Sequence, residues 1–238
     1  MKIAFISDIH GNAVALEAVL ADLREKNVDE VFVLGDICFR GPEPRRSLEI
    51  VQALNTDVIK GNADEWIVRG IDEGEVPQEA FPIMNKERNW SAEKLTSDQI
   101  NYLRYLPTEL NLEFGDIKIH AFHATPNSLF DSVQPFATDE ILEEKLFIKE
   151  ADIYIYAHIH KPYIRFLNGK CVINTGSVGL PFDGTAQSSY VLIDLIADQV
   201  EVSIVRVTYD VDQVVQQFKQ SNYPNKDFMT DILEKSSI

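Results

Sequence analysis

Five short groups of polar residues in this chain have side chains that bind divalent metal ions. They are Asp8-Ile9-His10, Gly35-Asp36, Gly61-Asn62, His123 and His158-Ile159-His160. Four of the five histidines of the chain lie in these groups. Histidines that were ordinary surface residues would be scattered along the chain instead. Carboxylate, amide and imidazole ligands in combination suit Mn²⁺, Fe²⁺, Zn²⁺ or Ni²⁺. We therefore interpret the five groups as candidate metal ligands.

Each group stands at or near the end of a predicted strand. Residues 2–7 are apolar or β-forming and stop at Asp8, and residues 31–34 and 57–60 are similar runs that stop at the next two groups. Ligands of open α/β sheets bind at the carboxyl ends of the strands, where the following helices present their N-termini. Asp8 and His10 are two residues apart, so on extended backbone both side chains would point to one side.

The order of the remaining elements predicts an α/β protein. Helices after Asn12 and Pro44 separate the first three strands, which is the pattern of a mainly parallel sheet. Further strands are expected at residues 115–123, 153–157, 163–167, 171–173, 189–195 and 200–207, and further helices at 138–149, 211–219 and 227–234. Two turns are expected, a type I′ turn at Asn168-Gly169 and a short turn at 197–199.

Two groups of strands, each with its helices, predict two sheets packed face to face between helical layers. No linker divides the chain, so we expect a single domain over residues 1–238. Residues 64–107 are helical in pattern and less apolar than the rest. We interpret them as a helical insert that lies over or beside the candidate ligands.

Charge limits the partners of this chain. Its 238 residues include 38 acidic and 22 basic ones, and the net charge is −16. A field of this sign repels nucleic-acid backbones and anionic membranes, so we expect neither a nucleic-acid duplex nor a membrane as partner. Two distant cysteines, Cys38 and Cys171, without a signal-peptide pattern, predict a cytoplasmic protein. A small phosphorylated or nucleotide substrate would need a local positive centre, which bound metal ions supply.

The five groups, in this order and at strand ends, resemble the motifs of the calcineurin-like metallophosphoesterase superfamily over residues 1–184. The third motif is similar to that of the bacterial and archaeal phosphodiesterase branch. The resemblance implies a four-layer α/β/β/α sandwich of two mixed sheets that binds two divalent metal ions, with Mn²⁺ the expected metal. It also implies that one ion is bound by Asp8, His10, Asp36 and His160, and the other by Asp36, Asn62, His123 and His158.

The resemblance implies hydrolysis of phosphoesters without a covalent protein intermediate. In such a two-metal site, a water held between the ions would be acidified by both and would attack phosphorus in line as hydroxide. Among the ligands, Asp36 and Asn62 are the candidate catalytic residues. Two divalent ions carry four positive charges, while two aspartates and a hydroxide carry three negative ones, so the net charge of the site would be about +1.

Residue 63 departs from the family pattern. The third motif usually reads Gly-Asn-His, and this histidine is commonly assigned as the acid that protonates the leaving oxygen, but here Ala63 follows Asn62. Loss of an acid costs about 10²–10⁴-fold in rate when the leaving group is an alkoxide, and little when it is a stable anion. We therefore expect a phosphodiester or phosphoanhydride substrate with a low-pKa leaving group, such as a dinucleoside polyphosphate or another nucleotide.

Two alternatives to this function are open. One is a phosphomonoesterase that acts on proteins or small molecules, which the missing acid disfavours. The other is a non-catalytic scaffold of the same fold, a class whose members typically lose metal ligands. The complete ligand set of this chain favours an enzyme over a scaffold.

Four further residues are candidates for substrate binding. Arg40 and Lys60 lie near strand ends, where each could contact a phosphate group or be an ordinary solvated charge. Gly176 and Ser177 belong to a Gly-Ser turn that resembles one found in the same family branch. Their backbone amides could bind a phosphate oxygen or support the site, or the turn could be a plain connection.

Three other residues have two interpretations each. His120 precedes His123 by three positions in one strand, so it should face away from that ligand and pack or contact solvent instead of acting as an acid. Trp90, with Arg88, could stack on a nucleobase, or Trp90 could belong to the core of the helical segment. Cys38 follows Asp36 closely but is expected to be a small packing residue.

Overall fold

The computed structural model describes residues 1–196 and 199–237, which form nine strands and eight helices. The strands are β1 (Lys2–Ile6), β2 (Glu30–Val33), β3 (Glu109–Phe114), β4 (Ile117–Phe122), β5 (Ile153–Tyr156), β6 (Tyr163–Leu167), β7 (Lys170–Asn174), β8 (Ser188–Ile196) and β9 (Gln199–Val207). The helices are α1 (Ala13–Glu25), α2 (Pro44–Ala53), α3 (Asn62–Arg69), α4 (Phe81–Ala92), α5 (Ser97–Arg104), α6 (Asp139–Leu146), α7 (Val211–Gln220) and α8 (Lys226–Lys235).

The strands form two mixed sheets. The first has the order β2-β1-β8-β9, in which β1 is parallel to β2 and antiparallel to β8. The second has the order β3-β4-β5-β7-β6, with β4, β5 and β7 parallel and an antiparallel strand at each edge. Because β1 and β2 are parallel, and β4 and β5 are parallel, the loops that follow each pair emerge at one end of its sheet.

The two sheets pack face to face through alternate residues of their strands. Ile3 and Phe5 of β1 contact the same apolar cluster as Ile119 of β4 and Ile155 of β5. Their neighbours in β1, Ala4 and Ile6, belong to a different cluster on the outer face of the first sheet. This period of two is what a strand buried on both faces requires.

Helices cover both outer faces. Helix α1 is capped by Asn12, whose side chain accepts a hydrogen bond from the amide of Ala15 at 3.0 Å, and the helix buries Leu16 and Val19 against the first sheet. Helix α6 buries Leu142 and Leu146 against Tyr154 and Tyr156 of β5 on the far side of the second sheet. The predicted four-layer α/β/β/α architecture is therefore confirmed.

Three helices occupy much of the segment that was predicted to be helical. Helix α3 and helix α5 pack on the first sheet through Trp66, Ile67 and Leu103. Trp90 of α4 is buried against the C-terminal helices, where its Nε1 donates to Asn222 Oδ1 at 2.7 Å and its ring meets Tyr223 edge to face. Trp90 is thus a core residue, and the nucleobase-stacking interpretation is wrong for this side chain.

Two predicted strands differ from the structure. Residues 57–60 form no full strand, because only Val58 pairs with β2, through a single bridge to Val33. Residues 115–123 are not one strand either, since Gly115 has φ +61° in the turn of a hairpin. The first arm of that hairpin, β3, alternates half-buried apolar residues with exposed polar ones, a period-two pattern that the sequence interpretation overlooked.

The predicted turns have different outcomes. Asn168 and Gly169 have φ of 51° and 78°, and a type I′ turn needs positive φ at both central residues. The hairpin between β6 and β7 is therefore confirmed. The turn expected at 197–199 includes residues outside the described ones, although β8 and β9 pair antiparallel up to Ile196 and Gln199. In the described chain, no helix combines the length and apolar character needed to cross a membrane.

The apolar layer between the sheets predicts a large stability effect for one truncation. Ile155 is fully buried between the sheets, so Ile155→Ala should lower the free energy of unfolding by about 2–5 kcal/mol. Phe166, which is 75% exposed on edge strand β6, is the matched control, and Phe166→Ala should change it by about 0.5 kcal/mol or less. Urea denaturation of both variants measures the difference. Equal losses would contradict the proposed location of the core.

Candidate metal centre

Four of the predicted ligands meet in one buried cluster, which we call the first cluster. Asp8, His10, Asp36 and His160 each present a ligand atom within 4.8 Å of the others. The two imidazole Nε2 atoms of His10 and His160 are 3.1 Å apart, and His160 Nε2 is 3.2 Å from Asp8 Oδ1. These residues follow β1, β2 and β5, so loops from both sheets build the cluster.

The other predicted ligands form a second cluster that shares Asp36 with the first. Asn62 Oδ1 lies 3.0 Å from His123 Nε2 and 2.8 Å from His158 Nδ1. Asp36 Oδ2 lies 3.5 Å from His123 Nε2 and 3.6 Å from His10 Nε2. The carboxylate of Asp36 therefore stands between the two clusters, and the structure brings all seven predicted ligands together.

The orientation of the imidazoles tests whether these residues fit a metal ion. Nδ1 of His10, His123 and His160 lies 2.8, 2.7 and 2.5 Å from the backbone oxygens of Phe39, Leu34 and Leu180. A proton on each Nδ1 satisfies these carbonyls, so Nε2, when it carries no proton, directs its lone pair into the cluster.

The first cluster then consists of acceptors that face one another. Two lone pairs 3.1 Å apart, on His10 and His160, repel in the absence of a cation. Asp8 Oδ1 is buried and has no hydrogen-bond partner in the described chain. A divalent cation satisfies all of these atoms at once, so the donor set fits a metal ion.

The backbone at these strand ends is left-handed. Residues Asp8, His10, Asp36, His158 and His160 have φ between 48° and 68°, so the extended conformation expected for Asp8 and His10 is wrong. Such residues cost about 1–3 kcal/mol each and need support from their surroundings. Support comes from the neighbouring loop, because the amide of Asp8 donates to Gly35 O at 3.0 Å and that of His10 to Asp36 O at 2.8 Å.

Two glycines of the motifs permit close approach between loops. A Cβ atom on Gly61 would collide with the side chain of Asp36, and one on Gly35 would collide with the backbone of Gly61. Gly35 also has φ +86°, which favours glycine. The glycines beside Asp36 and Asn62 therefore let these two ligands share one small space.

Three residues support the ligands, and of these only Ser177 was named from the sequence. The Asp64 carboxylate accepts from the amides of Asp36, Ile37 and Gly61 at 2.7, 2.9 and 3.0 Å, which ties the loop of Asp36 to that of Asn62. Ser7 Oγ donates to Asp8 Oδ2 at 2.6 Å, and Ser177 Oγ donates to Asp8 O at 2.7 Å. The sequence signal for Asp64 was its place two residues after Asn62 in the third motif.

The clusters perturb one another's protonation. Burial lowers the pKa of His123, but the carboxylates of Asp36 and Asp8 outweigh burial and raise this pKa to about 10. Burial raises the pKa of Asp36, yet the imidazoles of His123, His10 and His158 outweigh it and hold this pKa below its usual range. Burial and a neighbouring imidazole lower the pKa of His10 and of His158 to about 4 each. Without metal, His123 therefore carries a proton on Nε2 as well as on Nδ1.

A cavity of about 150 Å³ opens onto both clusters. Besides six ligand and motif residues, it is lined by Phe39, Arg40, Trp66, Met84, Leu180 and Phe182. The Phe182 ring stacks on the imidazole of His160 at 4.3 Å between centroids. A larger cavity of about 800 Å³ lies elsewhere, along the free edges of β2 and β3, and none of the predicted ligands lines it. Chemistry therefore favours the smaller cavity as the site.

The candidate substrate-binding residues lie in different places. Arg40 lines the cavity. Lys60 Nζ instead donates to Glu65 Oε2 and to Arg104 O, both at 2.9 Å. The amides of Gly176 and Ser177 donate to the side chains of Asn174 and Ser189, so they are already satisfied within the fold. The structure thus brings Arg40 to the site but not Lys60, and it gives Gly176 and Ser177 supporting contacts.

His120 and Cys38 have the locations that their plainer interpretations predict. His120 lies on the outer face of the second sheet, where its Nε2 is 2.7 Å from Glu109 Oε2, and the imidazole packs on Phe122. Cys38 is fully buried, and burial raises the pKa of its thiol well above the usual value, with the charges of Asp64 and Asp36 adding to the shift. Neither side chain takes part in the site.

Comparison with known proteins identifies the family of this chain. The model of the calcineurin-like phosphoesterase superfamily domain matches residues 1–198. The chain belongs to the calcineurin-like phosphoesterase superfamily. The metallophosphoesterase family and fold inferred from the five groups are therefore confirmed, and members of this family typically bind divalent metals.

Three relatives match this chain over almost their whole length. An uncharacterised protein of Methanocaldococcus jannaschii is 27% identical over 243 residues, with 93% of each chain covered. The crystal structure of a metallophosphoesterase from Sphaerobacter thermophilus is 26% identical, with a TM-score of 0.79 and 99% of both chains covered. The crystal structure of a hypothetical protein from Pyrococcus horikoshii OT3 is 25% identical, with a TM-score of 0.84 and coverage of 98% of this chain and 97% of that one.

Removal of the shared carboxylate should reduce metal binding. In Asp36→Asn, both clusters lose their common negative charge, so the content of added Mn²⁺ after dialysis should fall to about half of the wild-type content or less. Asp116→Asn removes an exposed carboxylate from the β3–β4 turn and should keep the wild-type content. Elemental analysis of chelator-stripped, reloaded protein measures the metal content per chain. Full metal content in Asp36→Asn would contradict the shared site.

Metal binding should also release a proton. His123 binds a proton below pH about 10 in the metal-free protein and must lose it to bind a metal through Nε2, so Mn²⁺ affinity should rise with pH from 6 to 9. Calorimetry in buffers of different ionisation enthalpy counts the protons released. His123→Gln should release about one proton fewer than the wild type. An affinity independent of pH would contradict the protonation of His123.

Proposed function

We propose that this chain is a divalent-metal-dependent enzyme that hydrolyses phosphodiester or phosphoanhydride bonds, and that Mn²⁺ is its metal. The observation that carries the proposal is the position of Asp36 Oδ2, 3.6 Å from an imidazole of the first cluster and 3.5 Å from one of the second. One carboxylate oxygen shared by two sets of acceptors suits a pair of neighbouring ions, as in many phosphoesterases.

The metal ions and the chain contribute different parts of the catalysis. Ions bound in the two clusters would supply Lewis-acid catalysis and an activated water. The chain fixes the ligands through the carbonyl contacts of the imidazoles and through Asp64. Arg40 adds a positive group on the cavity wall for the phosphoryl oxygens. Phe39 and Leu180 exclude water from the rest of the wall, which strengthens these interactions.

The cavity lining supports a substrate with a stable leaving group. Its titratable side chains within the described chain are the predicted ligands His10, Asp36, His158 and His160, together with Arg40. The ligand side chains would be bound to metal ions and could not act as acids. An arginine side chain stays protonated in proteins and cannot deliver a proton. Ala63, at the family's acid position, contributes only a methyl group to the lining. A leaving group that departs as an anion needs no acid at this point.

The size of the cavity limits how much of a substrate it holds. A volume of about 150 Å³ is that of roughly five water molecules, and pockets for drug-sized ligands measure about 300–1,000 Å³. The cavity therefore suits a phosphoryl group and its nearest substituents. The rest of a nucleotide or dinucleoside polyphosphate would lie outside, against the half-buried side chains of Met84 and Phe182.

The two alternatives are weaker on the same observations. A phosphomonoesterase for alkyl esters such as phosphoserine needs an acid that the cavity lining lacks within the described residues. A scaffold needs no metal ligands, yet the two clusters bring together seven buried or half-buried side chains of types that bind metal ions. An enzyme with activated substrates agrees with both observations.

Metal-dependent turnover is the direct test of the proposed function. Chelator-stripped protein should hydrolyse a bis-aryl phosphodiester only after Mn²⁺ is added, and Asp36→Asn should lose at least about 10²-fold in kcat/KM because its metal pair is disrupted. Asp116→Asn, with its exposed turn position, should retain wild-type turnover. Absence of turnover with Mn²⁺, Fe²⁺, Zn²⁺ and Ni²⁺ in folded, metal-loaded protein would favour the scaffold.

The leaving-group hypothesis predicts a gain of function. In the wild type, log kcat/KM should fall steeply as the leaving-group pKa rises along a series of aryl and alkyl diesters. Ala63→His restores an acid and should flatten this slope, with alkyl substrates gaining about 10-fold or more. Ala63→Gln has a side chain of similar size without a titratable proton and should keep the steep slope. A flat wild-type slope would contradict the hypothesis.

A further inference from the structure

A buried carboxylate outside the two clusters lies behind Arg40. Glu87 of α4 is fully buried, and neither of its carboxylate oxygens has a hydrogen-bond partner within the described residues. The cation facing it is Arg40, whose Nε is 3.9 Å from Glu87 Oε2. Such a carboxylate is costly to bury, and a neutral or apolar side chain in its place would be less so. Stability alone therefore does not account for Glu87.

The guanidinium of Arg40 faces Glu87 on one side and the cavity on the other. Its Nε atom is buried, faces Glu87 and has no hydrogen-bond partner in the described chain, while the side chain as a whole is 18% exposed and lines the cavity. The backbone of Arg40 has φ +69°, a left-handed conformation that fixes where the side chain starts. The planar guanidinium can therefore present its terminal nitrogens to an anion while Nε stays beside Glu87.

The C-terminal segment closes this arrangement from behind. The ring of Phe228 in α8 lies 5.9 Å from the guanidinium carbon of Arg40. Burial raises the pKa of Glu87 above its usual value, and Arg40 together with Asn225 and Tyr223, which precede α8, offsets this rise only in part. Tyr223, Asn225 and Phe228 fall beyond the 1–198 region that the family model matches. Arg40 is thus contacted by α4 and by a segment outside the region that the family model matches.

We propose that Glu87 is a positioning residue that holds Arg40 in place to bind a phosphoryl oxygen of the substrate, with Phe228 supporting the guanidinium from the other helix. The inference rests on the proposed function and adds the residues that position its phosphate-binding group, Arg40. We call Arg40, Glu87 and Phe228 the phosphate clamp. Glu87 touches no substrate in this arrangement and acts through Arg40.

The test is a double-mutant cycle on the full-length, Mn²⁺-loaded protein, read out as affinity for inorganic phosphate by calorimetry. Glu87→Gln keeps the shape and removes the charge, and it should weaken phosphate binding by about tenfold, as should Arg40→Gln. The double variant should be no weaker than Arg40→Gln alone, because Glu87 acts through Arg40. Glu93→Gln, at an exposed position after α4, should bind phosphate like the wild type.

Kinetics separate positioning from a structural role. Glu87→Gln should raise KM for an aryl phosphodiester about tenfold and leave kcat within about threefold, with metal content unchanged. Wild-type phosphate affinity in Glu87→Gln, or additive losses in the double variant, would overturn the proposal. A wild-type protein that binds phosphate through Arg40 but hydrolyses no ester would overturn the proposed function and leave the phosphate clamp in place.

Discussion

The carboxylate of Asp36 joins three loops of the site through separate contacts. Oδ1 accepts the amide of Ala63 at 2.8 Å, and Oδ2 faces an imidazole of each cluster. Its own amide donates to Asp64, and its carbonyl accepts the amide of His10. The loops after β1, after β2 and before α3 are therefore positioned relative to one carboxylate. Any shift of this residue would disturb ligands in both clusters at once.

Stable sheets make this arrangement possible. Five ligands have left-handed backbone, at about 1–3 kcal/mol each, and their ligand atoms repel one another without a cation. The apolar layer between the sheets and the helices on both faces offset this cost, since they do not depend on the site. Strain is thus concentrated at the strand ends, where the parallel pairing of β1 with β2 and of β4 with β5 places the loops.

Sequence alone predicted what depends on residue type and order. Five polar groups at strand ends were sufficient for the family, the four-layer fold and the convergence of seven ligands. The sequence did not predict the role of residues whose position depends on tertiary contacts alone. Lys60 has the charge of a phosphate ligand, but Glu65 and Arg104 bind its ammonium group. Strand β3 was not predicted, although its apolar and polar residues alternate. The run of apolar residues after Gly115 led to a predicted strand that began at residue 115.

The supporting contacts show the same limit. Glu87 and Arg40 are 47 positions apart and share no periodicity, so nothing in the sequence links them. Ser177 was recognised as part of a family-like turn, but its role followed only from the 2.7 Å bond to the carbonyl of Asp8. The left-handed conformation of Asp8 and His10 could not be predicted from the sequence either. Aspartate and histidine adopt it more readily than most residues, so no glycine is needed at these positions to indicate it.

The two clusters differ in their contact with solvent. All four side chains of the first cluster are buried, whereas His158 of the second is half-buried and lines the cavity. Both clusters reach the cavity, but only the second would offer solvent a half-buried ligand, His158, at which its ion would be displaced more readily. The two positions would then differ in kinetic lability even at equal affinity. A brief exposure to chelator would empty one position before the other and yield a half-loaded protein suited to the preparation of mixed-metal forms.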